Sequence, residues 1–465
     1  MTRSFYKQRV TIFGFGRREG VSLVRYLHRE GAHILISDIA PSEQLAEQLA
    51  AIQDIPVEFD LEDHNRNRIL EWSDAIFVSP AIRPDHPILV DARARGITIS
   101  SAIHLFLERC SIPVTGITGS AGKTTTTSLI STMLAQSQIP HILGGNIGRP
   151  VLGELACIDT FKRAVLELSS FQLMHLRQSP NISVVTNITP NHLDWHRDWQ
   201  EYVNAKRTIV AHQGPSDWAI LNADDPTVSS FSASTPANVA LFSITQIPDV
   251  PTCAFLQNGH LVLRYEGDES NLIQSSELQL LGQHNIANAL AAALAAHCSG
   301  AHLEAIATAL RSFTGVSHRL QLVAERDGVR YFNDSIATTP ERVLAALRAF
   351  SEPLVVILAG RDKHLPWDRV AEELCFRARS VILTGDLAPI AQEAIIAASE
   401  RIGRCPKLFC RADFDEAVQI ATLTAQPGDC VLFTPGGTSF DHFRDFEARG
   451  QRFNDIILQT MVEGL

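Results

Sequence analysis

The stretch V-T-G-I-T-G-S-A-G-K-T-T-T-T-S-L-I at 114–130 constrains this chain more than any other. An apolar run, Ile112–Ile117, leads into a glycine-rich turn, and the residues beyond it put Leu129, Ile130, Met133 and Leu134 on one helical face. Strand, tight turn and helix in that order are what a phosphate-binding loop requires. Glycines let successive N–H groups converge on one anion. The helix adds its unpaired first-turn N–H groups and the positive end of its dipole. On this reading Gly119, Ser120, Ala121 and Gly122 form the turn. Lys123 reaches terminal phosphate oxygens, Thr124 offers a hydroxyl to Mg²⁺, and Thr125 follows in the first helical turn. The glycine spacing is a variant, since the interval from Gly116 to Gly122 is one residue longer than usual. A plain strand-to-helix turn is the alternative, but G-K-T-T after a strand favours a nucleoside triphosphate site with magnesium.

A chain of 465 residues is too long for one ordinary core and predicts two to three domains. With 45% hydrophobic and 20% charged residues it reads as a soluble globular protein. The net charge of −11 argues against nucleic acid as a partner. No apolar run approaches a membrane span, and the first residues lead into a strand without a signal segment, so a cytoplasmic location is expected. Eight cysteines without a C-x-x-C pair fit reduced thiols in that compartment.

Alternating strands and helices recur along the chain. Q-R-V-T-I-F (8–13), H-I-L-I-S-D (33–38) and A-I-F-V-S-P-A (75–81) predict a parallel sheet of Rossmann type in domain 1–101. The turn Gly14–Phe15–Gly16–Arg17–Arg18 is not a dinucleotide fingerprint, although Asp38 stands where a ribose-binding acid would. A nucleotide diphosphate suits the same turn as well as NAD does. In domain 102–315, a central parallel sheet of the phosphate-loop ATPase kind, A-V-L-E-L-S-S-F-Q-L (164–173) reads as a strand carrying Glu167. A buried carboxylate needs a partner or a metal, so Glu167 is a candidate magnesium ligand. In S-V-V-T-N-I-T-P-N-H-L-D-W-H (183–196), His192 and Asp194 follow a second apolar strand at its carboxyl end, where ligands gather in open α/β sheets. His192 has a structural as well as a functional reading. Residues 227–275 carry short β-type runs that pattern alone does not arrange. Domain 316–465 is a third alternating, Rossmann-like unit with polar strand-end loops.

Taken together, G-I-T-G-S-A-G-K-T-T, G-G-N-I-G, T-N-I-T-P-N-H-L-D, L-N-A-D-D, G-Q-H-N-I-A-N-A-L, F-T-G-V-S-H-R and N-D-S-x-A-T resemble the Mur ligases over nearly the whole length. These are ATP-dependent amide-forming enzymes of peptidoglycan precursor synthesis. E-L-S-S-F-Q-L and S-F-D-H-F-R-D-F-E-A-R-G resemble the branch that joins glutamate to UDP-N-acetylmuramoyl-L-alanine. The resemblance implies ATP and two magnesium ions, a monomer, and an acyl phosphate made on the alanyl carboxylate. It implies catalytic roles for Lys123, Lys206 and His192, with Lys206 carbamylated. Metal would be held by Thr124, Glu167, His192 and Lys206. Asn285, Asn288, Arg319 and Asp334 would join the loop in binding ATP. The turn at 14–18, Asp38, Ser79, Asn146 and His192 would take the UDP-sugar, and Thr338, Lys363, Ser439 and Phe446 the glutamate. The chain departs from the pattern at Ala81, Phe440 and Ile336. Ile336 stands where the family has a lysine near the amino-acid pocket, which keeps L-glutamate open beside D-glutamate. A nucleotide-hydrolysing switch is the alternative from another class.

Overall fold

The computed structural model describes residues 5–16, 19–148, 150–192, 195–280, 282–363 and 365–463, with side chains to 460. Arg17, Arg18 and Asp194 lie outside the described residues. The chain divides into two compact units, Met1–Phe313 and Thr314–Leu465. Three sheets are present, two in the first unit and one in the second.

The first sheet runs Glu58–Leu61, His33–Asp38, Arg9–Phe13, Ala75–Val78, Thr98–Ser100, all parallel. Its two edge strands escape the sequence pattern because they are short and carry polar residues. The inner strands are nearly continuous apolar runs buried on both faces, as parallel sheets demand.

The second sheet has nine strands. Its parallel part orders Cys253–Gln257, Asn238–Ser243, Trp218–Asn222, Ile182–Val185, Val114–Thr118, Arg163–Glu167 and His141–Gly145. Cys253–Gln257 then pairs antiparallel with His260–Tyr265, and that strand with Asp268–Gln274. This meander is the segment that sequence pattern left unplaced. The long Ala-rich helix Gln283–Cys298 packs against the helix Lys123–Gln136 over this sheet.

The expected strand over 164–173 is corrected. It ends at Glu167, and Ser170–Leu173 is a short helix. Ser169 and Gln172 form a reciprocal capping box that satisfies the helix start, so the chain turns there rather than staying extended.

The third sheet orders Gln321–Arg326, Val329–Asn333, Cys430–Gly436, Leu354–Ala359, Ala378–Leu383 and Lys407–Cys410, parallel apart from the first pair. The helix Phe446–Glu463 packs on this sheet through Phe453, Ile456 and Ile457. Among the described residues no helix is long and apolar enough to cross a membrane.

Candidate active site

Val114–Thr118 hands directly to the phosphate loop, and Lys123 starts the following helix behind Gly122 at φ 82°. Gly119 and Gly122 are required by neighbours as well as by φ. A Cβ on Gly119 would fall on the Thr186 hydroxyl, and one on Gly122 on the Asn288 side-chain amide. That second contact brings buried Asn288 against the loop, and Asn288 donates to Asn285 Oδ1 at 3.2 Å. Lys123 folds over the turn, its Nζ donating to the carbonyls of Gly119 (2.9 Å) and Ser120 (3.1 Å). The Ser120 hydroxyl pairs with Tyr202 at 2.8 Å, and the Ala121 N–H donates to Asn187 at 2.9 Å. These bonds hold the loop in shape from both sides.

Register places Glu167 beside Ile117, one residue from the strand end. Its carboxylate is 2% exposed and accepts the Thr124 hydroxyl at 2.7 Å on Oε2 and the Asn146 amide at 2.9 Å on Oε1. Asn146 is fixed further by its own N–H, which donates to the Glu167 carbonyl at 2.7 Å. Three residues singled out from sequence, Thr124, Asn146 and Glu167, are therefore one hydrogen-bonded cluster at the helix start. A hydroxyl and a carboxylate there suit a hard cation such as Mg²⁺, which takes one or two protein oxygens and fills its remaining positions with phosphate oxygens and water.

Lys206 adjoins this cluster. It lies on the helix Trp199–Ala211, is 2% exposed, and donates to the Gly119 carbonyl at 2.8 Å. Burial pushes its ammonium well below the ordinary lysine value; Lys123 pushes the same way, and Glu167 opposes both. His192, at φ 53°, is exposed and meets the Phe171 ring edge-on at 5.0 Å. The buried imidazole here is His196, which sequence reasoning missed. Its Nε2 is 3.0 Å from the Ser170 hydroxyl, and its Nδ1 is 3.5 Å from Glu201. Burial pulls its pKa down, with Glu201 opposing.

A cavity of about 360 Å³ opens between the first and second sheets. Gly14, Gly16, Ser79 and Asn146 line it, and so does Ala81. Phe15 serves differently. Its ring is buried against Gly20, and its N–H donates to Asp38 Oδ2 at 2.5 Å. Asp38 thereby holds the turn from behind and does not line the cavity. Sequence reasoning missed Glu19, Phe171, Gln172 and Trp195 on the cavity wall, with Gln172 donating to Glu19 at 2.9 Å. It also missed Arg83, which lies 3.1 Å from Glu201, donates to the Trp195 carbonyl and stacks over that indole. Their signal is weak because each gains meaning only where the two sheets meet.

In the second unit, Asp334 is buried at the end of Val329–Asn333. It accepts from Leu320 N–H and the Thr434 hydroxyl, both at 3.2 Å. Burial raises its carboxyl to about 7, against the opposing pull of those bonds, Arg319 and Arg342. Lys363 donates to the Thr338 hydroxyl at 3.3 Å. Ser439 is buried, while Phe446 and Ile336 are half-buried and Phe440 is 52% exposed. The expected ATP contacts thus divide between the units, Asn285 and Asn288 in the first, Arg319 and Asp334 in the second.

Comparison with known proteins places this geometry. Residues 8–101 match the MurD-like N-terminal domain of Mur ligases, 117–296 the Mur ligase middle domain, and 318–437 the Mur ligase glutamate ligase domain. The UDP-N-acetylmuramoylalanine–D-glutamate ligase of Symbiobacterium thermophilum is 39% identical, over 97% of this chain and 98% of its own. The protein of that name from Roseiflexus sp. is 37% identical, over 97% and 98%. Two solved structures share the fold. The UDP-N-acetylmuramate–alanine ligase of Thermotoga maritima has a TM-score of 0.51 at 19% identity, over 97% of this chain and 100% of its own. A pseudomurein peptide ligase type C from Methanothermus fervidus has a TM-score of 0.50 at 20% identity, over 98% and 100%. With a domain match in each third of its length and full-length relatives well above 30% identity, this chain belongs to the Mur ligase family.

Proposed function

We propose that this chain is an ATP-dependent ligase that adds D-glutamate to UDP-N-acetylmuramoyl-L-alanine in peptidoglycan precursor synthesis. The observation that carries the site assignment is the Thr124–Glu167–Asn146 cluster, which sets a carboxylate at the mouth of a phosphate loop.

The reaction needs an oxygen of the alanyl carboxylate to attack the γ-phosphorus of ATP, releasing ADP. The glutamate amine then attacks the acyl carbon, losing a proton as phosphate leaves. Both steps gather negative charge, and preorganised donors are worth most where charge develops. The N–H groups at the helix start, Gly122 to Thr125, and the helix dipole would supply fixed positive potential. Lys123, now bonded to two loop carbonyls, would exchange them for phosphate oxygens. Asn285, Asn288, Arg319 and Asp334 complete the ATP contacts in this proposal. Bound at Thr124 and Glu167, Mg²⁺ would neutralise phosphate charge. A second ion would be held from the His192 and Lys206 side. Lys206 is suited to carbamylation, because CO₂ adds to a neutral amine with loss of a proton and burial favours the neutral form.

The cavity lined by Gly14, Gly16, Ser79 and Asn146 is assigned to the UDP-sugar, with Asp38 supporting the turn. Arg17 and Arg18, which lie outside the described residues, are assigned to the UDP-sugar on the resemblance alone. Thr338, Lys363, Ser439 and Phe446 are assigned to glutamate. The domains are proposed as 1–101, 102–315 and 316–465. A UDP-sugar and ATP meet in the cytoplasm, where a monomer would suffice, since one chain carries every assigned residue. The test is phosphate release with each substrate omitted in turn. Release only when ATP, UDP-N-acetylmuramoyl-L-alanine and D-glutamate are all present supports the ligase. Release from ATP alone at the full rate would show a nucleotide-hydrolysing switch.

A further inference from the structure

Arg449 is the largest fully buried side chain of the molecule's described residues, at 1% exposure. Its Nε donates to the Ser335 hydroxyl at 3.2 Å, its Nη2 to the Ser335 carbonyl at 3.0 Å, and its Nη1 to the Gly437 carbonyl at 3.1 Å. A third segment presses on the same group, because a Cβ on Gly360 would come within 2.7 Å of Nη1. These contacts lie in the loops that follow three neighbouring strands, Val329–Asn333, Leu354–Ala359 and Cys430–Gly436. The Ser335 hydroxyl donates in turn to the Phe446 carbonyl at 2.7 Å, one helical turn before Arg449 itself.

None of the three acceptors is a carboxylate. A buried cation without an anionic partner costs several kcal/mol, and an apolar side chain would fill the space more cheaply. What an apolar side chain lacks is a planar fork that bonds in three directions at once. Burial pushes this guanidinium down to about 10, with Asp441 opposing. The Phe433 ring, 5.8 Å away, offers a partial cation–π offset.

We propose that Arg449 is a positioning residue for the amino-acid substrate, its guanidinium bonding the loops that present Thr338 and Ser439 while the Gly360 loop, which presents Lys363, packs against it. The proposal rests on the glutamate assignment above. Thr338 stands three residues beyond Ser335, Lys363 three beyond Gly360 and Ser439 two beyond Gly437, so each hangs close to its anchor.

The test compares Arg449→Met and Arg449→Lys with the wild type. It reads KM for D-glutamate, KM for ATP and for the UDP-sugar, and scrambling of the bridging oxygen of ATP in the absence of amino acid. That scrambling reports reversible phosphoryl transfer to the alanyl carboxylate. Displacing binding groups by about 1 Å costs roughly 10²-fold, so Arg449→Met should raise the glutamate KM by about 10²-fold. Arg449→Lys, with the charge but not the fork, should raise it by about 10-fold, while scrambling and the other KM values stay within about three-fold. A wild-type glutamate KM in either folded variant overturns the proposal, as does scrambling that falls in step with glutamate binding. Should both variants fail to fold, Ser335→Ala removes one acceptor and should still raise the glutamate KM selectively; no change there overturns it. A wild-type protein that makes no product with glutamate strikes the functional assignment instead, before any variant is compared.

Discussion

Replacing Glu167 by glutamine separates what its carboxylate does for folding from what it does for catalysis. Each Glu167 oxygen accepts one side-chain bond, from Thr124 at 2.7 Å and Asn146 at 2.9 Å. Glutamine keeps the shape and one acceptor, and the Thr124 hydroxyl can turn to accept from the new amide. Two charge-assisted bonds of about 1.5–3 kcal/mol become neutral ones of about 0.5–1.5 kcal/mol, a loss of roughly 2–3 kcal/mol. Removing a buried charge returns a desolvation cost of similar size. The net change in stability is therefore small, and the melting temperature should move by less than about 4 °C. The rate has no such offset. Loss of one preorganised electrostatic group costs about 2.7–4 kcal/mol, so kcat should fall by roughly 10²–10³-fold and saturation should need more Mg²⁺. Phosphate release titrated with Mg²⁺, beside a thermal melt, reads both quantities. A folded Glu167→Gln with the wild-type kcat and Mg²⁺ requirement would refute the assignment.

Lys206→Met should be nearly inactive. Because burial lowers the Lys206 pKa, the unfolded chain binds the extra proton between that lowered value and about 10.4. Wild-type stability should therefore gain on the variant as pH rises through that window in CO₂-depleted buffer, and a difference independent of pH would contradict the burial argument. Asp334 has the opposite sign. Its carboxyl is raised from 3.8 to about 7, so between those values the folded state holds a proton the unfolded state has lost, and stability falls as pH rises. Asp334→Asn should gain on the wild type by up to about 4 kcal/mol across that window in denaturant melts without nucleotide, and a flat difference would refute it. At Ile336, the wild type should prefer D-glutamate over L-glutamate in kcat/KM, and Ile336→Lys should lower the glutamate KM. A strong preference for L-glutamate would overturn the enantiomer and leave the ligase chemistry intact.

The phosphate loop was legible because its chemistry is local: strand, glycine turn, lysine and hydroxyl are contiguous in sequence. Glu167 was legible for a related reason, since a carboxylate in an apolar strand demands a partner. The helix at Ser170–Leu173 was hidden behind the apolar residues of 164–173, whose capping box pattern competes with an extended reading. The meander from Cys253 to Gln274 was unreadable because its short strands pair antiparallel at the edge of an otherwise parallel sheet. The cavity residues Glu19, Gln172 and Trp195 come from distant segments, and only the packing of two sheets gives them a common wall. Arg449 was hardest of all. It sits inside S-F-D-H-F-R-D-F-E-A-R-G, where sequence alone gives it no role of its own, whereas the helix turns it inward beneath the strand-end loops.

In the proposed ligase, ATP activates the substrate carboxylate before the amide forms. UDP-N-acetylmuramoyl-L-alanine labelled with ¹⁸O in the alanyl carboxylate, turned over with ATP and D-glutamate, tests this directly. Phosphoryl transfer to that carboxylate and departure of phosphate after amine attack must carry one carboxylate oxygen into the inorganic phosphate. One ¹⁸O per phosphate released, corrected for the enrichment of the label, is the expected result. Phosphate that carries no carboxylate ¹⁸O, its fourth oxygen drawn from solvent, would contradict that order of steps.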